Sequence, residues 1–399
     1  MDFSRKGTLS PDLMLSILLY MVADARRRGY AHLLESFWDE ARSLGLELPK
    51  NEPVSAASFC DARQKLKPEL FTTLMMDVWQ MQRRAFDESC RWRGRRVFAV
   101  DGTKITLERS LDLGCQFHYP VGAHCPQALV SALYDLGTKS PVALRISPYD
   151  GNEREHALEL MGYLQEGDVL VLDRGYPSHE MVQALSAAKI DFLIRLPSRN
   201  SFQAIETLRE SKSCDMRIPL CPPEGSNPNW PALSLRWIAA KDGEGEDTYY
   251  VTSLPKNRYS AADILDLYRL RWEIEEFYKL SKSDYIGQAQ FRSKTANGIR
   301  QELCAQYLLL AMTRYLALQA ADAHDDSDLD IDQKGAVLSV AAYLTRLLLD
   351  EDPVGRASAI YFLFKRMARH RYRRRKGRSF PRRSFKPARK WGPQGRVGA

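Results

Sequence analysis

The chain has 399 residues, of which 44% are hydrophobic and 27% are charged, and this composition excludes a disordered protein. Fifteen of its 58 Lys and Arg residues lie from Lys365 onward, where no Asp or Glu occurs, which leaves 43 basic against 50 acidic residues in the rest of the chain. The net charge of +8 therefore resides in a basic tail, and the length predicts two or three domains.

The first ninety residues predict helices joined by short turns, at Pro11 to Arg28, Tyr30 to Leu44, Ala56 to Leu66 and Pro68 to Cys90. The apolar run from Leu13 to Ala23 is too short to span a bilayer, so we expect a buried helix and not a secretory signal or a membrane partner. We assign residues 1–92 to a helical N-terminal domain.

Residues 55–71 are open to two interpretations. They could form a helix-turn-helix-like unit in which Arg63, Lys65 and Lys67 face DNA. Plain helical packing explains the same segment, and the residues alone favour packing slightly.

From Arg95 the pattern changes to strands at 96–100, 103–108, 128–136 and 141–147. A helix at Arg154 to Leu164, a strand ending before Asp173, a helix at Ser178 to Ala188 and a strand at Asp191 to Leu196 follow. This mixed order of strands and helices predicts an α/β sheet with flanking helices.

Two aspartates each follow a fully apolar run of four residues: Asp101 follows Val97 to Val100, and Asp173 follows Val169 to Leu172. Such runs suit the buried centre of a sheet, so carboxylates one step beyond two neighbouring strands would lie side by side at its rim. Hard cations such as Mg²⁺ prefer that arrangement of oxygen ligands. The alternative is that each Asp is only a turn or cap residue.

A third candidate acid lies in the segment YRLRWEIEEFYKLSKS, residues 268–283. Residues at offsets of three, four and seven share one helical face there, namely Tyr268, Arg271, Glu275 and Lys282. An ordinary surface helix with ion pairs is the alternative, and Glu273 and Glu276 are rival acids. Helical phase favours Glu275, because apolar residues mark the adjacent stripe as buried.

These motifs resemble those of bacterial insertion-sequence transposases of the insertion-sequence-four type. Residues 268–282 match the family's Tyr-Arg-Glu-Lys signature, with two, three and six intervening residues, and DGTKITL at 101 and LDRGYPS at 172 resemble its two Asp motifs. The resemblance covers roughly residues 50 to 320 and implies a ribonuclease-H-like core. In such a core Asp101, Asp173 and Glu275 would be the catalytic acids and would bind two Mg²⁺ ions, with Mn²⁺ as a substitute.

The resemblance implies that the helical N-terminal domain, residues 1–92, binds DNA at the terminal inverted repeats. It also implies the substrate and the reaction. Tyr268, Arg271 and Lys282 would hold phosphates of double-stranded DNA, and a homodimer would hold both element ends. We expect cleavage at terminal inverted repeats and joining of the 3′ ends to target DNA by hydrolysis and transesterification, by a cut-and-paste route. A metal-dependent nuclease without strand transfer, and a non-catalytic DNA-binding protein derived from a transposase, are the alternatives.

The predicted catalytic domain spans residues 93–320 and contains a β-rich insertion at 201–255, with strand-like pieces at Leu233 to Ala239 and Thr248 to Leu254. In the resembled family such an insertion often carries an aromatic residue that holds an extruded base. Candidates for that role are Trp237, Tyr249 and Tyr250, with sheet core as the alternative.

Residues 321–399 predict a C-terminal region of helices and basic tail. Six Asp residues between Asp322 and Asp332 repel each other and should remain solvated. The tail, including Arg373, Arg374 and Arg375, can neutralise DNA phosphates with a strongly salt-dependent affinity.

The seven cysteines are scattered without a CxxC pair, which predicts a reducing compartment. Cys115 to Cys125 contains two Cys and two His, but this spacing matches no standard zinc site. We expect a cytoplasmic protein that acts on the bacterial nucleoid.

Overall fold

The computed structural model describes residues 9–24, 26, 28–197, 202–211, 213–242, 245–282, 291–323 and 329–373. Its centre is a mixed sheet of eight strands in the order β3-β2-β1-β4-β5-β8-β7-β6. The strands are β1 Val97–Thr106, β2 Gln127–Asp135, β3 Ser140–Pro148, β4 Val169–Leu172, β5 Asp191–Leu196, β6 Asp215–Leu220, β7 Leu233–Lys241 and β8 Asp247–Thr252.

Helices cover both faces of this sheet. They are α1 Pro11–Ala23, α2 Tyr30–Ser43, α3 Ala56–Arg63, α4 Glu69–Phe86, α5 Leu111–Phe117, α6 Glu153–Leu160, α7 His179–Ala187, α8 Gln203–Glu210, α9 Ala261–Leu270, α10 Trp272–Ser281, α11 Ala296–Asp322, α12 Gln333–Leu349 and α13 Pro353–Ala368. Helices α6, α7 and α8 pack on one face, and the remaining helices contribute to the core on the other. Within the described ranges no helix combines the length and the apolar character needed to cross a bilayer, and this includes α11 with its 27 residues.

The first five strands have the order and orientations of a ribonuclease-H-like sheet. Strand β2 is antiparallel to both β1 and β3, whereas β1, β4 and β5 run parallel to one another. The prediction of a mixed α/β sheet with flanking helices is confirmed.

One strand differs from the sequence-based prediction and determines the position of Asp101. We expected two strands separated at Asp101 and Gly102, but β1 is continuous through both residues. It pairs with β2 from Phe98 to Thr106, so the two residues take part in a long antiparallel ladder and do not close a turn. Asp101 therefore lies within a strand and not one step beyond its end.

The β-rich segment at 201–255 extends the central sheet. Strand β8 pairs with β5, and β7 and β6 follow outward as antiparallel neighbours. Trp237, Tyr249 and Tyr250 are 0%, 3% and 7% exposed, so all three belong to the packed core. The sheet-core alternative is the one observed for these aromatic residues.

Arg63 does not face solvent, contrary to the helix-turn-helix-like interpretation. Its side chain is 5% exposed and forms an ion pair of 3.1 Å with buried Glu302. It also donates to Gln301 Oε1 at 2.9 Å and to the carbonyl of Gly298 at 3.0 Å. Arg63 therefore connects α3 to α11, which is the helical-packing alternative.

The end of the acidic segment, from Leu329 onward, forms regular structure, in which Asp330 and Asp332 stay partly exposed. Residues Leu329–Ile331 form strand β9, which pairs antiparallel with β10 at Arg371–Arg373. Ile331 is 4% exposed, and Asp332 caps α12 by accepting from the Gly335 amide at 2.7 Å. The side chain of Arg373, together with Arg374 and Arg375, lies outside the described residues.

Candidate active site

The register between β1 and β4 brings the two candidate aspartates together. Val97 pairs with Val169 and Ala99 with Val171. Asp101 lies two residues beyond Ala99 on β1, and Asp173 directly follows the last residue of β4. Side chains alternate along a strand, so Asp101 points to the face on which Ala99 packs, the face covered by α10 and α11. The Asp173 carboxylate lies near enough to Asp101 to raise the pKa of Asp101.

Asp101 sits in an electrostatically unfavourable environment for a carboxylate. Burial raises its pKa to about 6, the Arg271 guanidinium and the Gly102 amide oppose the rise, and the carboxylates of Asp173 and Glu153 reinforce it. The Gly102 amide donates to Asp101 Oδ1 at 2.9 Å. Asp173 Oδ1 accepts from the Gly175 amide at 2.6 Å.

The third acid is positioned by a helix anchored directly to β1. Tyr278 on α10 donates its hydroxyl proton to the carbonyl of Asp101 at 2.6 Å and accepts from the Ala132 amide of β2 at 3.1 Å. Burial keeps the pKa of Tyr278 well above its ordinary value, so its phenol remains neutral. Since Glu275 lies one turn before Tyr278, this anchor holds Glu275 above β1.

Arg271 links the first acid to the third. Its Nη2 lies 2.6 Å from Glu275 Oε1, and its Nη1 lies 3.7 Å from Asp101 Oδ2. The Arg271 side chain is 9% exposed, so the guanidinium is an almost buried cation between two carboxylates. It stands at the junction of α9 and α10 in a helical conformation.

The rival acids point elsewhere. Glu273 pairs with Lys139 at 3.0 Å, and Glu276 pairs with Lys279 at 2.5 Å. Of these three acids, Glu275 forms the ion pair with Arg271.

The remaining signature residues border the same region. The Arg271 guanidinium lies 5.5 Å from the centre of the Tyr268 ring, which packs edge-on against Tyr250 at 5.0 Å. Lys282 ends α10 and hydrogen-bonds to Thr103 Oγ1, two residues beyond Asp101. Burial lowers the pKa of Lys282, and the Asp101 carboxylate opposes that shift.

Sequence reasoning missed Glu153 and Tyr176. Tyr176 donates to Glu153 Oε2 at 3.2 Å, and the Glu153 carboxylate packs against Gly102. The available signals were the glycine directly after Asp101 and the tyrosine within the motif LDRGYPS.

The acids suit a hard divalent cation in their chemistry, because their donors are all carboxylate oxygens. The Arg271 guanidinium acts as a stand-in cation between Asp101 and Glu275. As the side chains stand, no three His, Cys, Asp or Glu residues in the described ranges form a group that could hold a metal ion.

Comparisons with known proteins give the following similarities. The family model described as "Transposase DDE domain" matches residues 92–312. Transposase InsG for insertion sequence element IS4, from Escherichia coli (strain K12), is 25% identical over 328 residues, which cover 80% of this chain and 72% of that protein. The cryo-EM structure of the piggyBac transposase synaptic complex with hairpin DNA aligns with a TM-score of 0.46 and 11% identity, over 92% of this chain and 79% of that chain.

Proposed function

This chain belongs to the family of transposase DDE domains, and on that premise we propose that it cleaves DNA at the terminal inverted repeats of its own insertion sequence and joins the 3′ ends to target DNA. Hydrolysis would release each 3′-hydroxyl, by a cut-and-paste route. In the transesterification each 3′-hydroxyl would attack the phosphorus of a target phosphodiester, and the bond from that phosphorus to the target's own 3′ oxygen would break, which leaves a 3′-hydroxyl on the target strand. The observation that carries the proposal is the Arg271 guanidinium joining Glu275 of the signature segment to Asp101 of β1.

We assign Asp101, Asp173 and Glu275 as catalytic residues and as ligands of two Mg²⁺ ions, for which Mn²⁺ would substitute. Such ions, when bound, would polarise the attacking and departing oxygens at the phosphorus. Support comes from the oxygen-only donor set, from the pairing of β1 with β4, the strand that Asp173 directly follows, and from the effect of the Asp173 carboxylate on the pKa of Asp101.

Other residues of the signature would hold DNA. Arg271 can exchange a carboxylate for a phosphate because its planar guanidinium binds either anion by two parallel hydrogen bonds. Lys282 would act as a point charge beside the scissile phosphate, and Tyr268 keeps the Arg271 side chain in place by packing beneath it. Tyr278 holds α10 on β1 without taking part in the chemistry.

The substrate of this activity would be double-stranded DNA, comprising both element ends and the target. A homodimer would bring the two ends together, in the bacterial cytoplasm at the nucleoid. Arg373, Arg374 and Arg375 of the basic tail would add phosphate contacts without reading sequence.

A metal-dependent nuclease on the same core is the second candidate, because hydrolysis and strand transfer use the same acids. A non-catalytic DNA-binding protein is disfavoured, since acids occupy all three catalytic positions of the motifs.

The test uses purified full-length protein, Mg²⁺, a supercoiled plasmid and a labelled duplex carrying the inverted repeat that flanks the gene. We expect cleavage that exposes the 3′-hydroxyl of the repeat, followed by covalent joining of the label to the plasmid. Cleavage without joining would identify a nuclease, and binding without cleavage would identify a non-catalytic protein. Asp173→Asn serves as the inactive control.

A further inference from the structure

We infer that Glu153, in the first turn of α6, is a fourth acidic residue of the catalytic site and contributes an oxygen to the bound divalent cation from the sheet face opposite Glu275. This inference rests on the proposed function, because it extends the same metal site.

The first argument is the shape of the sheet beside Asp101. Strand β4 ends at Leu172, whereas β1 continues to Thr106, so the sheet has a notch where β4 no longer pairs with β1. Alternation along β1 directs Asp101 to the α10 face and Gly102 to the α6 face. Side chains from both faces can therefore meet at this notch.

The second argument is that Gly102 leaves room for Glu153. A Cβ atom at residue 102 would lie 2.5 Å from Glu153 Cδ and 2.7 Å from its Oε2, closer than real atoms approach. The Glu153 carboxylate thus occupies the space that any other residue at 102 would fill. It lies directly against the residue that follows Asp101.

The third argument is that the loop carrying Asp173 holds Glu153 in place. Tyr176, which is 1% exposed, donates to Glu153 Oε2 at 3.2 Å. The neighbouring Arg154 donates its Nε proton to the carbonyl of Gly175 at 2.9 Å. Two contacts therefore tie the start of α6 to the residues immediately after Asp173, which is more than a solvated surface glutamate requires.

The fourth argument is charge. The Asp173 and Glu153 carboxylates both act on Asp101, so three like charges converge on this notch. Arg271 compensates Asp101 and Glu275, but within the described part of the chain no Lys, Arg or His forms an ion pair with Asp173 or Glu153. A divalent cation would compensate these charges, and oxygen-only ligands of this kind suit it.

The experiment measures Mn²⁺ affinity of the full-length protein by electron paramagnetic resonance titration of free Mn²⁺. We expect Glu153→Gln to weaken Mn²⁺ binding by about tenfold or more. The amide oxygen of Gln still accepts from Tyr176 and one of the like charges is removed, so the thermal unfolding temperature should not fall. Glu155→Gln is the matched control, because Glu155 lies on the same helix turn, is exposed and should not alter Mn²⁺ affinity.

Two further variants separate the possible outcomes. Gly102→Ala should reproduce the loss of affinity, because its methyl group displaces the Glu153 carboxylate. Asp173→Asn tests the metal site itself. Weak binding in Asp173→Asn together with wild-type binding in Glu153→Gln would overturn this inference and leave the proposed function standing, whereas wild-type binding in both would overturn both.

Discussion

Arg271 holds Glu275 and Asp101 together, with its Nη2 at 2.6 Å from Glu275 Oε1 and its Nη1 at 3.7 Å from Asp101 Oδ2. The first contact is local, since the two residues are one helical turn apart. The second requires α10 to lie on β1, which the Tyr278 hydroxyl secures by bonding the Asp101 carbonyl. One guanidinium thus occupies the place where we propose that a metal ion binds.

Replacing Arg271 should separate its two proposed roles. In Arg271→Gln the cation between the carboxylates is lost, so we expect tighter Mn²⁺ binding by the DNA-free protein and weaker binding and cleavage of element ends. The two effects have opposite signs because a carboxylate pair attracts the metal while DNA loses a phosphate contact. Arg269→Gln, at a residue whose side chain is 76% exposed, is the control and should change neither measurement. Weaker Mn²⁺ binding in Arg271→Gln would contradict the proposal that the Arg271 guanidinium and the metal ion compete for the same carboxylates.

Removing any of the three acids should stop cleavage without preventing DNA binding. We expect Asp101→Asn, Asp173→Asn and Glu275→Gln each to lower the rate of Mg²⁺-dependent end cleavage by at least about 10² to 10³, the scale at which electrostatic catalytic groups act. Glu276→Gln is the matched control, since its carboxylate pairs with Lys279 away from Asp101. Gel-shift affinity and single-turnover cleavage measure the two properties, and normal cutting by Asp173→Asn would refute the assignment.

The buried Asp101 should make the metal-free protein less stable as pH rises. The pKa of Asp101 is about 6 in the folded chain against an ordinary value of 3.8, so the folded state binds the proton more tightly. The resulting stability is complete below about pH 4 and is lost as pH rises through 6. Asn cannot ionise, so the Asp101→Asn variant does not lose stability as pH rises. Its unfolding free energy should exceed that of the wild type by about 1 to 3 kcal/mol at pH 8 but not at pH 3.5. Urea titration in EDTA at both pH values measures the unfolding free energies of variant and wild type. An equal increase at both pH values would exclude the titration of Asp101 as the cause.

Arg63 should matter for stability and not for DNA contact. Arg63→Met leaves the buried Glu302 carboxylate without its cation, and we expect a loss of about 3 to 5 kcal/mol in unfolding free energy. Lys67→Met removes a charge from an exposed residue of the same segment and should leave stability within about 0.5 kcal/mol. Denaturant midpoints of both variants decide the matter. Equal midpoints of the two variants would contradict a stabilising role of the buried Arg63 side chain.

The basic tail should set the salt dependence of DNA binding. Ten Lys and Arg residues lie beyond Arg373, so a chain ending at Arg373 keeps β10 and loses these charges. Each phosphate contact contributes about 0.9 to the slope of log affinity against log salt concentration, so truncation should flatten that slope. Fluorescence anisotropy across a salt series measures the slope. An unchanged slope would show that the tail does not contact DNA phosphates.

Several elements could be predicted because their signals are local. Ser10 and Pro11 predict the start of α1, and the Ser10 hydroxyl accepts a hydrogen bond from the Leu13 amide at 3.2 Å. Apolar runs marked β1 and β4 correctly. The predicted break between two strands at Asp101 and Gly102 is not observed, because pairing with β2, a non-local interaction, overrides the turn preference of an Asp-Gly dipeptide.

The sequence by itself determined the mixed sheet and the spacing of Tyr268, Arg271, Glu275 and Lys282, because helical and strand periodicity depend only on neighbouring residues. Tertiary structure decided which of these groups meet. The pairing of β1 with β4 brings Asp173 near Asp101, the contact of α10 with β1 brings Glu275 to the same region, and the missing side chain at Gly102 leaves room for the Glu153 carboxylate. Such contacts join residues far apart in the chain, so they depend on strand register and packing and not on local pattern.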